Sequence, residues 1–217
     1  MRDEDILAWK HYLLCGTPGP RVIGNPSSCD IVLAFSFGRN TCADTNLFSI
    51  GNFRCRMKRD DLALRGLRKI KARAGQPNHE IAQKMKQIMD GKEVFSFSQW
   101  EIPLAIEWNW YLKKRSRITC IWPVQTKFTT FMVAKLMVDL LRNQTFSRPL
   151  ILAHRDHLAR VYLILRKLLG KHVPIAAMAG TEVFDAQSLQ PQTTNWESWV
   201  RFERLIRVHH VMYRYVI

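Results

Sequence analysis

"PLILAHRDHLARVYLILRKLLG", residues 149–170, changes its periodicity in mid-run. Its first five residues are apolar without alternation, the pattern of a strand buried on both faces. Beyond them Leu158, Val161, Tyr162, Leu165, Leu168 and Leu169 recur at helical spacing, and Gly170 supplies a stop. A strand running directly into a helix is the first part of a β-α-β unit. Five polar side chains, His154, Arg155, Asp156, His157 and Arg160, crowd the changeover.

The same alternation recurs on either side. CDIVLAFSFG (29–38), EVFSFSQW (93–100), RITCIWPV (117–124), PLILAH (149–154) and VPIAAMAG (173–180) read as short strands, mostly without the alternation of a half-exposed sheet. Helical patterns stand between them at PNHEIAQKMKQIMDG (77–91), FTTFMVAKLMVDLLRNQ (128–144) and HLARVYLILRKLLG (157–170). The expected fold is α/β: a doubly wound, mostly parallel, Rossmann-like sheet of about five strands with flanking helices. One domain is expected over residues 1–217, with a leading helix and linker at 1–20 closed by GTPGP and a core at 29–180. A C-terminal helix is expected over 194–214, opened by a capping box of Thr194 and Glu197.

Ligands of such sheets bind outside the carboxyl ends of the strands. The residues there are Ser36, Gly38, Arg39 and Asn40, then Gln99, Trp100 and Glu101, then Gln125, Thr126, Thr129 and Thr130. His154, His157 and Arg160 follow the fourth strand, and Gly180 and Thr181 the fifth. A crevice rich in arginine and histidine suits an anionic ligand. His157 and Arg160, at i and i+3 in a first helical turn, add to the anion preference of a helix N-terminus. His157 is the expected acid/base group, because a free imidazole titrates near neutrality, with His154 as a second and Glu101 orienting it or activating water. Gly38, Arg39, Thr129, Thr130 and Arg160 are the expected ligand-binding residues.

His154-Arg155-Asp156 spells the start of a protein-kinase catalytic loop, but Val161 stands where that loop requires asparagine and the other kinase motifs are missing. The five cysteines (15, 29, 42, 55 and 120) show no metal-binding spacing, so free thiols and no metal site are expected. No apolar run is long enough to span a membrane, and the acidic start differs from a signal peptide, so a cytoplasmic location is expected. The net charge of +15 calls for an anionic partner. Much of it lies between Arg54 and Arg73, where Leu62, Leu64, Leu67 and Ile70 oppose Arg65, Arg68, Lys69, Lys71 and Arg73 on a helix.

Four segments carry a family resemblance: AFSFGRN (34–40), SFSQWEIP (96–103), QTKFTTFMVAK (125–135) and LAHRDHLAR (152–160). In this order they resemble the SanA, ElyC and YdcF family of unknown function, with its glycine loop, acidic position, threonine-led helix and H-x-x-R segment. His157 and Arg160 match the H-x-x-R pair, Gly38 a loop glycine, Glu101 the acidic position, and Thr129 or Thr130 the helix threonine. The family's E-N after that threonine and T-S before H-x-x-R are replaced here by other residues. The resemblance implies a Rossmann-like fold with a polar cleft, and a nucleotide-like or S-adenosylmethionine-like ligand.

Two functional classes follow. One binds an anionic, nucleotide-like or phosphorylated small molecule in the strand-end cleft, as a hydrolase or transferase. The other is a non-enzymatic basic protein that grips nucleic acid or an anionic surface through the segment from Arg54 to Arg73.

Overall fold

The computed structural model describes residues 2–13, 17–38, 59–69, 74–122 and 129–212, with side chains to residue 206 of the last helix. Six described strands form one sheet: β1 (Val22–Ile23), β2 (Ile31–Ala34), β3 (Phe95–Gln99), β4 (Ile118–Ile121), β5 (Pro149–His154) and β6 (Ala176–Thr181). Their order is β1-β6-β5-β2-β3-β4. All pairings are parallel except that of β1 with β6. After the edge strand β1 the chain enters the middle at β2, builds outward through β3 and β4, then returns to place β5 on the other side of β2. The order therefore reverses between β2 and β5, where Leu33 is paired with both Phe97 and Ile151. The sixth strand, β1, was not expected. Two residues are too few for a periodic signal, and its place is set by Val22 and Ile23 pairing with Met178 and Ala177.

Eight described helices flank the sheet: α1 (Asp3–Leu13), α2 (Asp60–Lys69), α3 (Gln76–Asp90), α4 (Glu101–Ala105), α5 (Trp108–Lys114), α6 (Thr130–Arg142), α7 (Arg155–Leu169) and α8 (Trp196–Met212). Alternate residues of each central strand enter opposite cores, as the strand's period of two requires. Ile31, Leu33, Ile151 and Ala153 pack against α1, α6 and α7, through Val133, Met137, Leu158, Val161 and Tyr162. Val32, Ala34 and Leu152 pack on the other face against α2 and α3, through Leu64, Leu67, Ile81 and Met85. Each fully buried valine, leucine, isoleucine or methionine among them contributes about 1.5–3 kcal/mol.

Side-chain caps fix the starts of several helices. Thr129 caps α6, its Oγ1 accepting from Met132 N at 3.3 Å. His154 caps α7 with its imidazole, Nδ1 accepting from Asp156 N at 3.2 Å. At α8 the capping side chain is Asn195, whose Oδ1 accepts from Ser198 N at 2.9 Å. Thr194 instead donates to Pro191 O at 2.7 Å, closing the preceding 3-10 turn, so the expected capping box does not form. The leading helix is fastened by a network that sequence periodicity does not reveal: Asp5 Oδ1 accepts from Tyr162 OH at 2.9 Å and from Arg166 Nε at 3.0 Å on α7.

Candidate functional site

The loop after β2 approaches the reversal of strand order at the carboxyl edge and is held by side chains of its own chain. Ser36 N donates to Gln99 Oε1 at the end of β3, and Phe37 N to Asn78 Oδ1 in the first turn of α3, both at 2.8 Å. Asn78 Nδ2 donates in turn to Gly38 O at 3.1 Å. Gly38 turns with φ +76°, and a Cβ there would stand 3.0 Å from both Ser188 Oγ and Thr193 Oγ1. This position needs glycine for its backbone and for close packing. Arg39, Asn40, Gln125 and Thr126 lie outside the described residues.

At the end of β5, His154 is wholly buried. Its ring stacks on Phe37, centroids 3.8 Å apart and planes at 11°, and meets the edge of Phe184 at 4.8 Å. Burial drives its pKa down to about 3, against the opposing pull of the Val183 and Glu182 backbone. The imidazole is thus a neutral helix cap and an aromatic packing surface. Arg155 and Asp156 serve the fold as well: Arg155 Nε donates to Gly19 O at 2.6 Å, and Gly19 N donates to Asp156 Oδ1 at 2.8 Å.

His157 lies one turn further on, 6% exposed, with Nε2 3.1 Å from Thr130 Oγ1 at the start of α6. Its Nδ1 is buried without a hydrogen-bond partner among the described residues. Burial, reinforced by the charge of Arg160 and by His154, holds its pKa well below 6.5. The expectation of an imidazole titrating near neutrality is therefore corrected, because desolvation penalises the cation. Arg160, expected to clamp a ligand, is instead paired with Glu203 of α8, Nη2 to Oε1 at 3.1 Å, both side chains deeply buried. Its guanidinium faces Trp199 at 5.4 Å, and the Trp199 ring also stands 5.5 Å from His157 and 4.8 Å from Phe37.

Glu101, 2% exposed, opens α4 directly after β3. It shares the carboxyl edge with the cluster but stands one strand beyond β2. The polar partners of His154, His157 and Arg160 among the described residues include the Asp156 N–H, Thr130 and Glu203. Trp100 beside Glu101 is a packing residue, fully buried and stacked on Trp122 at 6.0 Å. The structure thus brings Gly38, His154, His157, Arg160, Thr129 and Thr130 to one edge. It adds Phe37, Asn78, Phe184, Trp199 and Glu203, which sequence reading missed. Only the i, i+4 spacing of Trp199 and Glu203 on one helix face hinted at a common target.

Aromatic rings of Phe37, Phe184 and Trp199 pack around His154 and His157 on the inner side of this cluster. At the start of α6, Thr129 is exposed and Thr130 half-buried. Among the described residues, no three His, Cys, Asp or Glu side chains converge to hold a metal ion. No described helix is long and apolar enough to cross a membrane.

The basic helix α2 is also less open than its charges suggest. Arg68 is half-buried, donates to the carbonyls of Pro103, Leu104 and Ile106, and lies 5.1 Å over the Trp108 ring. Leu62, expected on the apolar face, is 41% exposed, whereas Leu64 and Leu67 are buried. Arg65 and Lys69 are exposed. Residues 54–58 and 70–73, including Lys71 and Arg73, lie outside the described residues.

These features define the class: an α/β protein with a mostly parallel, doubly wound, Rossmann-like sheet and a polar cluster where its strand order reverses. No family model, curated protein or solved structure matches the chain.

Proposed function

We propose that this chain binds a phosphorylated or nucleotide-like small molecule at the carboxyl edge of its sheet, over the start of α6. The observation that carries this reading is the pairing of His157 with Thr130 where the strand order reverses. The first intrahelical bond of α6 is Val133 N to Thr129 O, so the N–H groups of Thr130 and Phe131 precede the helical ladder. A helix start of this kind favours an anion. His157, kept neutral by burial, contributes a hydrogen bond rather than a charge. The resemblance of four segments to the SanA, ElyC and YdcF family supports the same ligand class, including S-adenosylmethionine as a nucleoside without phosphate.

In the hydrolase or transferase form of this reading, His157 acts in its neutral state and Glu101 stands across the edge. His154 is assigned to structure, since its Nδ1 is spent on capping α7 and its ring on packing. The alternative of a basic module for nucleic acid ranks below it, because Arg68 is committed to carbonyls of α4.

The test is a thermal-shift and calorimetric panel of ADP, UDP, a sugar phosphate and S-adenosylmethionine against the native protein, Thr130→Ala and His157→Gln. A ligand at a hundred times its Kd stabilises the fold by about 2.7 kcal/mol. That shift is expected to disappear in both variants. A full shift in either variant refutes the assignment.

A further inference from the structure

Arg160 presents a charge problem that the α/β core does not solve. The side chain is 7% exposed, and a guanidinium keeps its proton at any physiological pH. Burial therefore demands an anion. Among the described residues that anion is Glu203, 3% exposed, on helix α8. Arg160 Nη2 reaches Glu203 Oε1 at 3.1 Å, while Nε has no hydrogen-bond acceptor among the described residues. The rings of Trp199 and Phe202 lie 5.4 and 5.9 Å from the guanidinium, so α8 supplies both the carboxylate and the aromatic walls. On α7, Arg160 stands one turn from His157 on the same face, and Trp199 touches both.

We infer that Arg160 is the anion subsite of the ligand site and that Glu203 occupies it in cis, so that α8 competes with a ligand phosphate for one guanidinium. This rests on the reading given under Proposed function and narrows it to phosphate-bearing ligands. A phosphate monoester carries about −1.5 to −2 charges and three acceptor oxygens, whereas Glu203 offers one charge and two oxygens. A phosphate can outcompete Glu203 at a planar, fork-shaped donor with a spare N–H, and a monocarboxylate gains no such advantage. Binding then sets Glu203 free and loosens α8, which remains attached through Trp199 against Phe37.

The test compares ADP and inorganic pyrophosphate binding by calorimetry to the native protein, Glu203→Gln, and the double variant Glu203→Gln with Arg160→Gln. Glu203→Gln keeps the shape of the side chain and removes the competing charge. Its affinity is expected to rise about tenfold or more, within the range measured for close buried charge pairs, and the double variant to lose that gain. In the native protein, saturating ADP is expected to lower amide protection across residues 199–206, a readout that does not depend on any variant folding. Equal affinity of native and Glu203→Gln proteins, with binding still lost in Thr130→Ala, overturns the competition and leaves the ligand site standing. Protection across 199–206 that stays level or rises with bound ADP overturns it too. Failure of both proteins to bind either probe overturns the site and the competition together.

Discussion

Replacing Asn78 with alanine tests whether the loop after β2 is held by the protein itself. Asn78 is fully buried and spends both ends of its amide on that loop, accepting from Phe37 N at 2.8 Å and donating to Gly38 O at 3.1 Å. Only one orientation of the amide satisfies both, since its oxygen cannot donate and its nitrogen cannot accept. Alanine leaves a buried N–H and a buried C=O unpaired. At about 1–3 kcal/mol for each orphaned group, the expected loss is about 2–6 kcal/mol. For a chain of this length each kcal/mol corresponds to roughly 2–4 °C, so the melting point should fall by about 4–24 °C. Asn78→Asp keeps the acceptor for Phe37 N but turns an oxygen towards Gly38 O and buries a charge, so its loss should be at least as large. Urea unfolding followed by tryptophan fluorescence measures both. A loss below about 1 kcal/mol for Asn78→Ala, with an unchanged slope in urea, means that the loop is held by other contacts and refutes the reasoning.

Other consequences are as direct. His154 and His157 are held neutral by burial, with folded pKa values below the ordinary 6.5, so their contribution to stability is complete above that value and is lost as pH falls towards the folded pKa. Unfolding measured from pH 7 to pH 4 should show stability declining with acid by up to about 1.4 kcal/mol per pH unit for each histidine, and His154→Gln should flatten the slope. Gly38→Ala should cost about 1–3 kcal/mol in thermal unfolding, because alanine is strained at φ +76° and its methyl meets Ser188 and Thr193. Arg68→Met should destabilise by about 2–4 kcal/mol through unpaired α4 carbonyls, while leaving affinity for a single-stranded oligonucleotide unchanged. A matching loss of oligonucleotide binding would restore the basic-module reading.

The neutral histidines explain why residue types alone pointed to acid–base chemistry. His154 and His157 stand at a strand end, where catalytic groups collect, and a free imidazole titrates near neutrality. Their environment removes that property. Phe37 reaches over from β2, Phe184 from beyond β6 and Trp199 from α8, and none of these is near the histidines in sequence. Arg160 was similarly legible as a cation at the strand-end edge but not as half of a buried pair. Its partner lies 43 residues away on a helix whose own pattern marks only an amphipathic face.

Short-range chemistry is what the sequence by itself determined. The β5-to-α7 changeover in PLILAHRDHLAR, the apolar runs of β2 to β6, the threonine at the head of α6 and Gly170 after α7 each depend on side-chain period or a single cap. Such signals act over a few residues and survive without knowledge of the fold. Tertiary structure alone decided the strand order, the two-residue β1, Asn78 on the Gly38 loop and Glu203 on Arg160. Those depend on which surfaces meet after the helices cross the sheet, and an ion pair or buried ring acts only once water has been excluded between elements far apart in the chain.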